Sequence, residues 1–385
     1  MVRMHLELDP PVATKKVRFI EHGAFMADLN ERADAYFAGA GRTRRDVPTM
    51  YLKTLLNLTW FTGSWVLLVF FATTLWQAVL LAMSLGFAIA AIGMGVQHDA
   101  NHGAYSQHPW VNRLLGFTLD VMGVCSFFWR QKHNVIHHTY TNIQDIDFDL
   151  DFGVIARLSP EQALRPWQRY QHYYIWFLYG FLLPKWVFRD DFVLLRTLRA
   201  GPHKLVKPNA KELFLFYFWK LFFVAWSIVI PLVYHPLWQV VLFHLIAVYT
   251  MGVTLSTVFQ LAHCVEEADF PPPAPDGKKM SVEWAVHQVQ TTVDFSKDNG
   301  LLTWFVGGLG YQVEHHLFPK VCHMHYPALA KIVTEVSEKH GIRRRIYASV
   351  PHAIASHYRH LRRMGRAEDL EVVTKEAKLA TEGEP

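Results

Sequence analysis

Four stretches of the chain are apolar over the length a helix needs to cross a bilayer, about 20 residues. They fall at residues 55–74, 76–97, 213–234 and 237–260. Within each, apolar side chains run all round the helix instead of forming a stripe, as in lipid-facing or fully buried helices. The first and second are separated by almost nothing, and the third turns into the fourth at Tyr234-His235-Pro236. Two transmembrane hairpins are therefore predicted. Two shorter apolar stretches, 114–128 (interrupted by Asp120) and 173–188 (containing Gly180 and Pro184), are too short to span. They are read as helices at the interface or against the core.

Charge gives this pattern an orientation. No Lys or Arg lies between Lys53 and Arg113, nor between Lys220 and Lys278, so both hairpin turns lack positive charge. By the positive-inside rule, the turns are external, and the N-terminus, middle segment and C-terminus are cytoplasmic. Lys220, near the inner end of the third stretch, is expected to snorkel. The first 50 residues are polar and do not read as a signal peptide. The expected fold is an all-α integral membrane protein, multi-pass, with a cytosolic helical cap. Its divisions are an N-terminal arm (1–50), a membrane domain (51–335) and a C-terminal extension (336–385) ending in a polar tail.

Composition agrees: 51% of residues are hydrophobic and only 18% charged, which excludes a disordered or coiled-coil chain. The net charge of +5 is too small to suggest a nucleic-acid partner. Three scattered cysteines form no CxxC pair, so a disulfide framework or thiolate metal site is not expected. The unusual feature is 22 histidines.

They cluster. His98 and His102 stand four residues apart just beyond the second apolar stretch, on one face of a helix and suited to joint metal ligation. His133 and His137 repeat that spacing, with His138 turned about 100° round the helix toward a second metal. His315 and His316 follow in Gln312-Val313-Glu314-His315-His316, and His263 ends the fourth stretch. All eight fall on the same predicted side of the membrane. Eight imidazoles exceed what one zinc takes and allow about four nitrogens to each of two metals. Oxidising an unactivated hydrocarbon requires a metal that changes oxidation state, which favours iron over zinc.

The motifs HDANH, HNVIHH and QVEHH, with HHTYTN and GLGYQVEHHLFP around them, resemble the three histidine boxes of membrane fatty acid desaturases. The resemblance covers roughly residues 50–335. It implies a di-iron centre that activates dioxygen and removes two hydrogens from a long-chain acyl group. The implied iron ligands are His98, His102, His133, His137, His138, His263, His315 and His316. Gln312, where many members have histidine, is similar to the front-end desaturases, which place a double bond between an existing one and the carboxyl end. It would coordinate weakly or through water. The sequence lacks the fused His-Pro-Gly-Gly haem motif of many such enzymes and looks more like the bacterial linoleoyl-CoA-desaturase-like branch. No GxGxxG or CxxCH motif is present either, so a separate donor is implied: ferredoxin, or cytochrome b5 with its reductase. Whether the acyl group is carried by CoA, a carrier protein or a lipid stays open.

Around the boxes, Asp99 and Glu314 are candidate acceptors for an imidazole N–H, Asn142 and Asp147 candidates for orienting the second box, and His287 a near-site residue. Asp145–Asp151 alternates acid and apolar without the glycine or late Glu of a calcium loop, and reads as an acidic edge. His235 and His244 are expected to be packing residues in the outer half, and His323, His325, His340, His352, His357 and His360 surface or packing residues. Arg343–Arg345 with Arg359, Arg362 and Arg363 suggest attraction to lipid headgroups, or docking of an acidic donor. A hydroxylase on the same scaffold is the alternative to a desaturase, and a zinc membrane receptor or hydrolase a more distant one.

Overall fold

The computed structural model describes residues 17–20, 23–39, 41–150, 152–274, 277–295 and 300–366. The first part of the N-terminal arm, Asp151, Pro275 and the polar C-terminal tail lie outside the described residues. The chain is mostly helical, and among the described residues four helices are long and apolar enough to cross a membrane: Pro48–Phe71, Leu75–Asn101, Ala210–Tyr234 and Leu237–His263. Among the described residues, sheet is confined to two short pairs, Arg18–Ile20 with Lys279–Glu283 and Arg199–Ala200 with His203–Lys204.

Each span is a few residues longer than its apolar stretch, always at the end away from the hairpin turn. In the first, second and fourth spans those extra residues include polar groups that the bundle buries, such as Lys53, His98 and His263, so hydropathy stops short of the true helix end. Box 1 consequently begins within the last turn of the second span, not past it. The two turns lie together: His235 Nε2 is 2.6 Å from the Val69 carbonyl, and the Phe70 and Tyr234 rings meet at 5.0 Å. The histidine clusters therefore sit at the opposite end of the bundle.

The second and fourth spans form its centre. At Gly86, an added Cβ would run into the Ala247 carbonyl of the fourth span, so only glycine permits this approach. Gly252 plays the same part against the Tyr179 and Gly180 carbonyls, 2.6 and 2.7 Å from where its Cβ would stand. Neither of the shorter apolar stretches forms a single helix long enough to cross a membrane. Pro109–Val121 and Ser126–Tyr140 meet at a 112° bend, and the other stretch breaks into Gln171–Tyr179, Leu182–Lys185 and Trp186–Asp190.

One charge assignment made from the sequence is corrected by the structure. Lys220 does not snorkel: its Nζ donates to the Gly123 and Val187 carbonyls at 2.5 and 2.8 Å and to Asp191 at 2.7 Å. The inward option wins because those three acceptors satisfy all its protons. Several of the basic residues near the C-terminus have partners within the chain, whereas Arg343 and Arg362 are exposed. Arg344 is buried between Asp294 and Glu314, Arg345 pairs with Asp269, and Arg359 with Glu266.

Candidate metal centre

Four helical segments converge at the span ends away from the hairpin turns. The second span delivers His98 and His102, the fourth delivers His263, and Gln312–Leu317 delivers His315 and His316. The second box lies in Gln131–His137, which is wound as a π-helix, so His133 and His137 are nearly in line and their rings stack at 5.2 Å and 21°. A wider turn of this kind is common at functional sites. The 3.6-residue geometry assumed for this box does not apply. His138 lies between the groups, its ring centroid 4.7 Å from His102, 4.6 Å from His315 and 4.3 Å from His316.

All eight histidines come together and are buried. Their ring nitrogens form two principal groups, His98/His102/His133/His315 and His137/His263/His316, with His138, His315 and His316 linking them. Within each group, one nitrogen per residue lies within 4.8 Å of the others, close enough to share an ion. Gln312 enters the second group: its terminal amide nitrogen is 2.9 Å from His263 Nε2 and 3.3 Å from His316 Nε2. Turning that amide over would present Oε1 at the same place, so it can offer either a donor or a ligand oxygen.

At His137 and His315 the outer nitrogen is occupied while the inner one is not. His137 Nδ1 is 3.0 Å from Asp147 Oδ2, His316 Nδ1 is 2.8 Å from Gln288 Oε1, and His315 Nδ1 is 3.3 Å from the Tyr326 hydroxyl. Meanwhile Nε2 of His102, His137, His138 and His315 has no hydrogen-bond partner despite burial. Buried polar atoms are rarely left so, and outer nitrogens held by carboxylate or amide with inner nitrogens unpaired is how metal-binding imidazoles are oriented. Burial, reinforced by repulsion from neighbouring imidazoles, pushes His102, His138, His315 and His316 well below the ordinary histidine pKa. They are thus neutral, the form that binds metal. His133 is lowered to about 4 by burial, whereas at His137 burial is outweighed by Asp147 and Asp149, which raise it. The residues present fit a pair of nitrogen-ligated metal ions.

Asp147→Asn should lower metal affinity about 10- to 100-fold, read as metal per protein after dialysis against a graded chelator. An unchanged metal content would show that Asp147 does not orient His137.

Asn142 stands beside the box as expected, in a left-handed conformation (φ 57°), its amide donating to the His263, Asp269 and Thr291 carbonyls. Its backbone N–H donates to Asp147 at 3.0 Å. His287 reaches the Thr141 carbonyl at 2.8 Å, one layer behind the imidazoles. Asp99 differs from the expectation. Its Oδ2 accepts from His323 Nδ1 at 2.8 Å, while His98 Nδ1 stays 4.0 Å from its other oxygen. Glu314 likewise faces Arg344 at 2.7 Å and no imidazole, because it lies on the side of its helix away from the cluster. Of the two readings for His323, surface or packing, the structure gives packing: it is buried, with Lys53 Nζ 2.9 Å from its Nε2. His357 and His360 are buried too, bonded to the Cys264 and Leu158 carbonyls. Gln288 and Tyr326 escaped the sequence reading, since neither lies in a histidine motif. Asp149, read only as part of an acidic edge, has Oδ2 3.8 and 3.9 Å from His133 and His137.

A cavity of about 280 Å³ opens against this cluster. His98, His133 and Gln312 form one wall, and Met94, Leu119, Leu255 and Phe259 much of the rest. A second cavity of about 240 Å³ lies deeper among the spans, and Met122 and Leu183 line both.

Four spans capped by buried, metal-ready imidazoles and an apolar cavity define a membrane metalloenzyme for long apolar substrates. Comparison with known proteins gives its family. Residues 74–348 match the fatty acid desaturase family model. The chain is 40% identical to the sn-1 linoleoyl-lipid 6-desaturase of Arthrospira platensis, over 91% of this chain and 95% of that protein. It is 38% identical to the Synechocystis protein of the same name (92% and 99%), and 34% identical to the acyl-lipid (8-3)-desaturase of Physcomitrium patens (92% and 75%). The chain belongs to the fatty acid desaturases. It is an oxidoreductase of the front-end fatty acyl type, in a family that acts on acyl lipids and uses iron and oxygen.

Proposed function

We propose that this enzyme inserts a cis double bond near the carboxyl end of a linoleoyl-like chain carried on a membrane lipid. The eight histidines would hold two irons, with Gln312 a weak or water-mediated ligand to the second. The bound irons supply the oxidising power, drawn from dioxygen, to remove two hydrogens from adjacent methylenes. The observation that carries this reading is the meeting of the first histidine group, through His98 and His133, and of Gln312 beside the second group with one apolar cavity, whose wall they share with Leu255 and Phe259. Side chains of that wall hold the chain against the cluster and exclude water, so position selects the bond that reacts. Electrons would come from a separate ferredoxin, or cytochrome b5 with its reductase, at the cytoplasmic face, where the positive-inside rule puts both termini.

The test is expression in a host fed linoleate, with double bonds located by mass spectrometry. A new double bond on the carboxyl side of the existing ones is expected. Hydroxylated product, or unchanged lipid with an active donor present, would overturn the proposal.

The partition between the cavities gives a further expectation. Leu183→Trp should shorten the tail that fits, favouring a chain two carbons shorter than linoleate in a competition feed. An unchanged product ratio would mean the tail does not pass Leu183.

A further inference from the structure

Nearly all charged groups around the larger cavity are accounted for. Lys185 is held by Asp190 at 2.5 Å, and Asp149 faces His133 and His137. Lys132 is the exception. It is 7% exposed and lines the cavity immediately before His133 in sequence. Its ammonium lies over the rings of Phe148 and Trp186, 5.4 and 5.7 Å from their centroids. Among the described residues it makes no ion pair or hydrogen bond: Asp149 and Asp191 feel its charge, but neither approaches within the 4.0 Å of an ion pair. A buried ammonium with three unshared protons is costly, and contact with ring faces offsets only part of that cost. Leucine or methionine would serve the packing as well without that cost. The charge therefore calls for an oxygen acceptor brought in from outside the chain.

The cavity's apolar walls indicate what brings it. A long hydrocarbon fits them, and the one strongly polar end of an acyl chain is its carbonyl. We propose that Lys132 donates to the carbonyl oxygen at the carboxyl end of the acyl substrate, and so fixes which carbons lie beside the histidine cluster. This rests on the desaturase reading above. The cation and His133 are consecutive residues of one π-helical segment, so the carbonyl is held within about a side chain's length of the cluster. Counting then starts from the carboxyl end, and the bond oxidised is one a few carbons away. The aromatic pair keeps the lysine extended along the wall, fixing the length of the ruler.

The full-length enzyme, with its donor and fed linoleate, tests this through Lys132→Met and Lys132→Arg. Loss of a hydrogen bond to a charged group predicts an apparent KM raised about 10- to 100-fold in Lys132→Met. Its remaining product should carry double bonds at more than one position. Lys132→Arg keeps the cation and should restore most of the affinity, with the bond moved or spread because the guanidinium is longer. Metal content should stay at the wild-type level in both. A Lys132→Met enzyme with wild-type KM and a single wild-type product would overturn the proposal. A second measurement needs no variant: a saturated fatty methyl ester should raise the melting temperature of wild-type protein more than the alkyl methyl ether of equal length, which lacks the carbonyl. Equal stabilisation would also overturn it. Wild-type enzyme that desaturates no fed chain would instead defeat the desaturase reading, and is distinguished from both results.

Discussion

His315→Ala is expected to abolish desaturation, with a loss of at least ~100-fold, larger than that for an orienting residue. It belongs to the group with His98, His102 and His133 and also to that with His138 and His316, so its removal affects both metal positions. Iron per protein should fall well below the wild-type ratio, while the helical content by circular dichroism stays the same, because the four spans do not depend on this side chain. His357→Ala is the matched control: it is equally buried but bonded to the Cys264 carbonyl and Tyr179, away from the cluster. That variant should keep its iron. Full iron and activity in His315→Ala would remove the di-iron proposal, whichever histidines remained.

The second large effect is on stability. Arg344→Met should cost about 3–5 kcal/mol, the usual result of leaving one half of a buried ion pair uncompensated. Arg344 bonds to Asp294 and lies 2.7 Å from Glu314, and its side chain is 5% exposed. Burial, with Asp294 close by, pushes the Glu314 carboxyl well above its usual range, while Arg344 opposes this. Asp294 is thus the main charge partner, and it also accepts from the Val313 N–H at 3.0 Å, at the start of the third box. Arg344→Met should lower the melting temperature and loosen the third box. Adding Asp294→Asn should recover part of the loss, since the buried charge left unpaired is then gone. A single substitution with no change in melting temperature would show that the network contributes nothing.

Much of the fold was legible in the sequence because hydropathy over a span is a local property. Four apolar stretches and the missing cations of two turns suffice to draw two hairpins, and helix contacts later agree. Hydropathy failed at the span ends away from the hairpin turns, where Lys53 and His98 belong to the helices yet are polar. They are tolerated there because other residues of the bundle bury and pair them, which no window along the chain can register. Lys220 failed for the same reason: snorkelling is the default for a lone lysine, but Gly123, Val187 and Asp191 come from elsewhere in the chain.

The candidate site divides in the same way. Histidine spacing picked out the eight imidazoles, since each box is a short local motif. Their immediate partners were read less well. Asp147 lies ten residues from His137 and could be guessed, but Gln288 and Tyr326 reach His316 and His315 through folding alone. Asp99 and Glu314 were assigned to imidazoles because they adjoin them in sequence. Adjacent residues on a helix point in different directions, so their carboxylates went to His323 and Arg344.

By itself, then, the order of residues determined the number of spans, their pairing and the identity of the clustered histidines, because each depends on neighbours within a helical turn or a bilayer's thickness. Only the tertiary structure decided how those histidines divide into groups, which carboxylates and amides orient them, and that Lys132 faces an apolar cavity without a partner. Those outcomes depend on distances between segments far apart in the chain, and such distances exist only once the helices have packed.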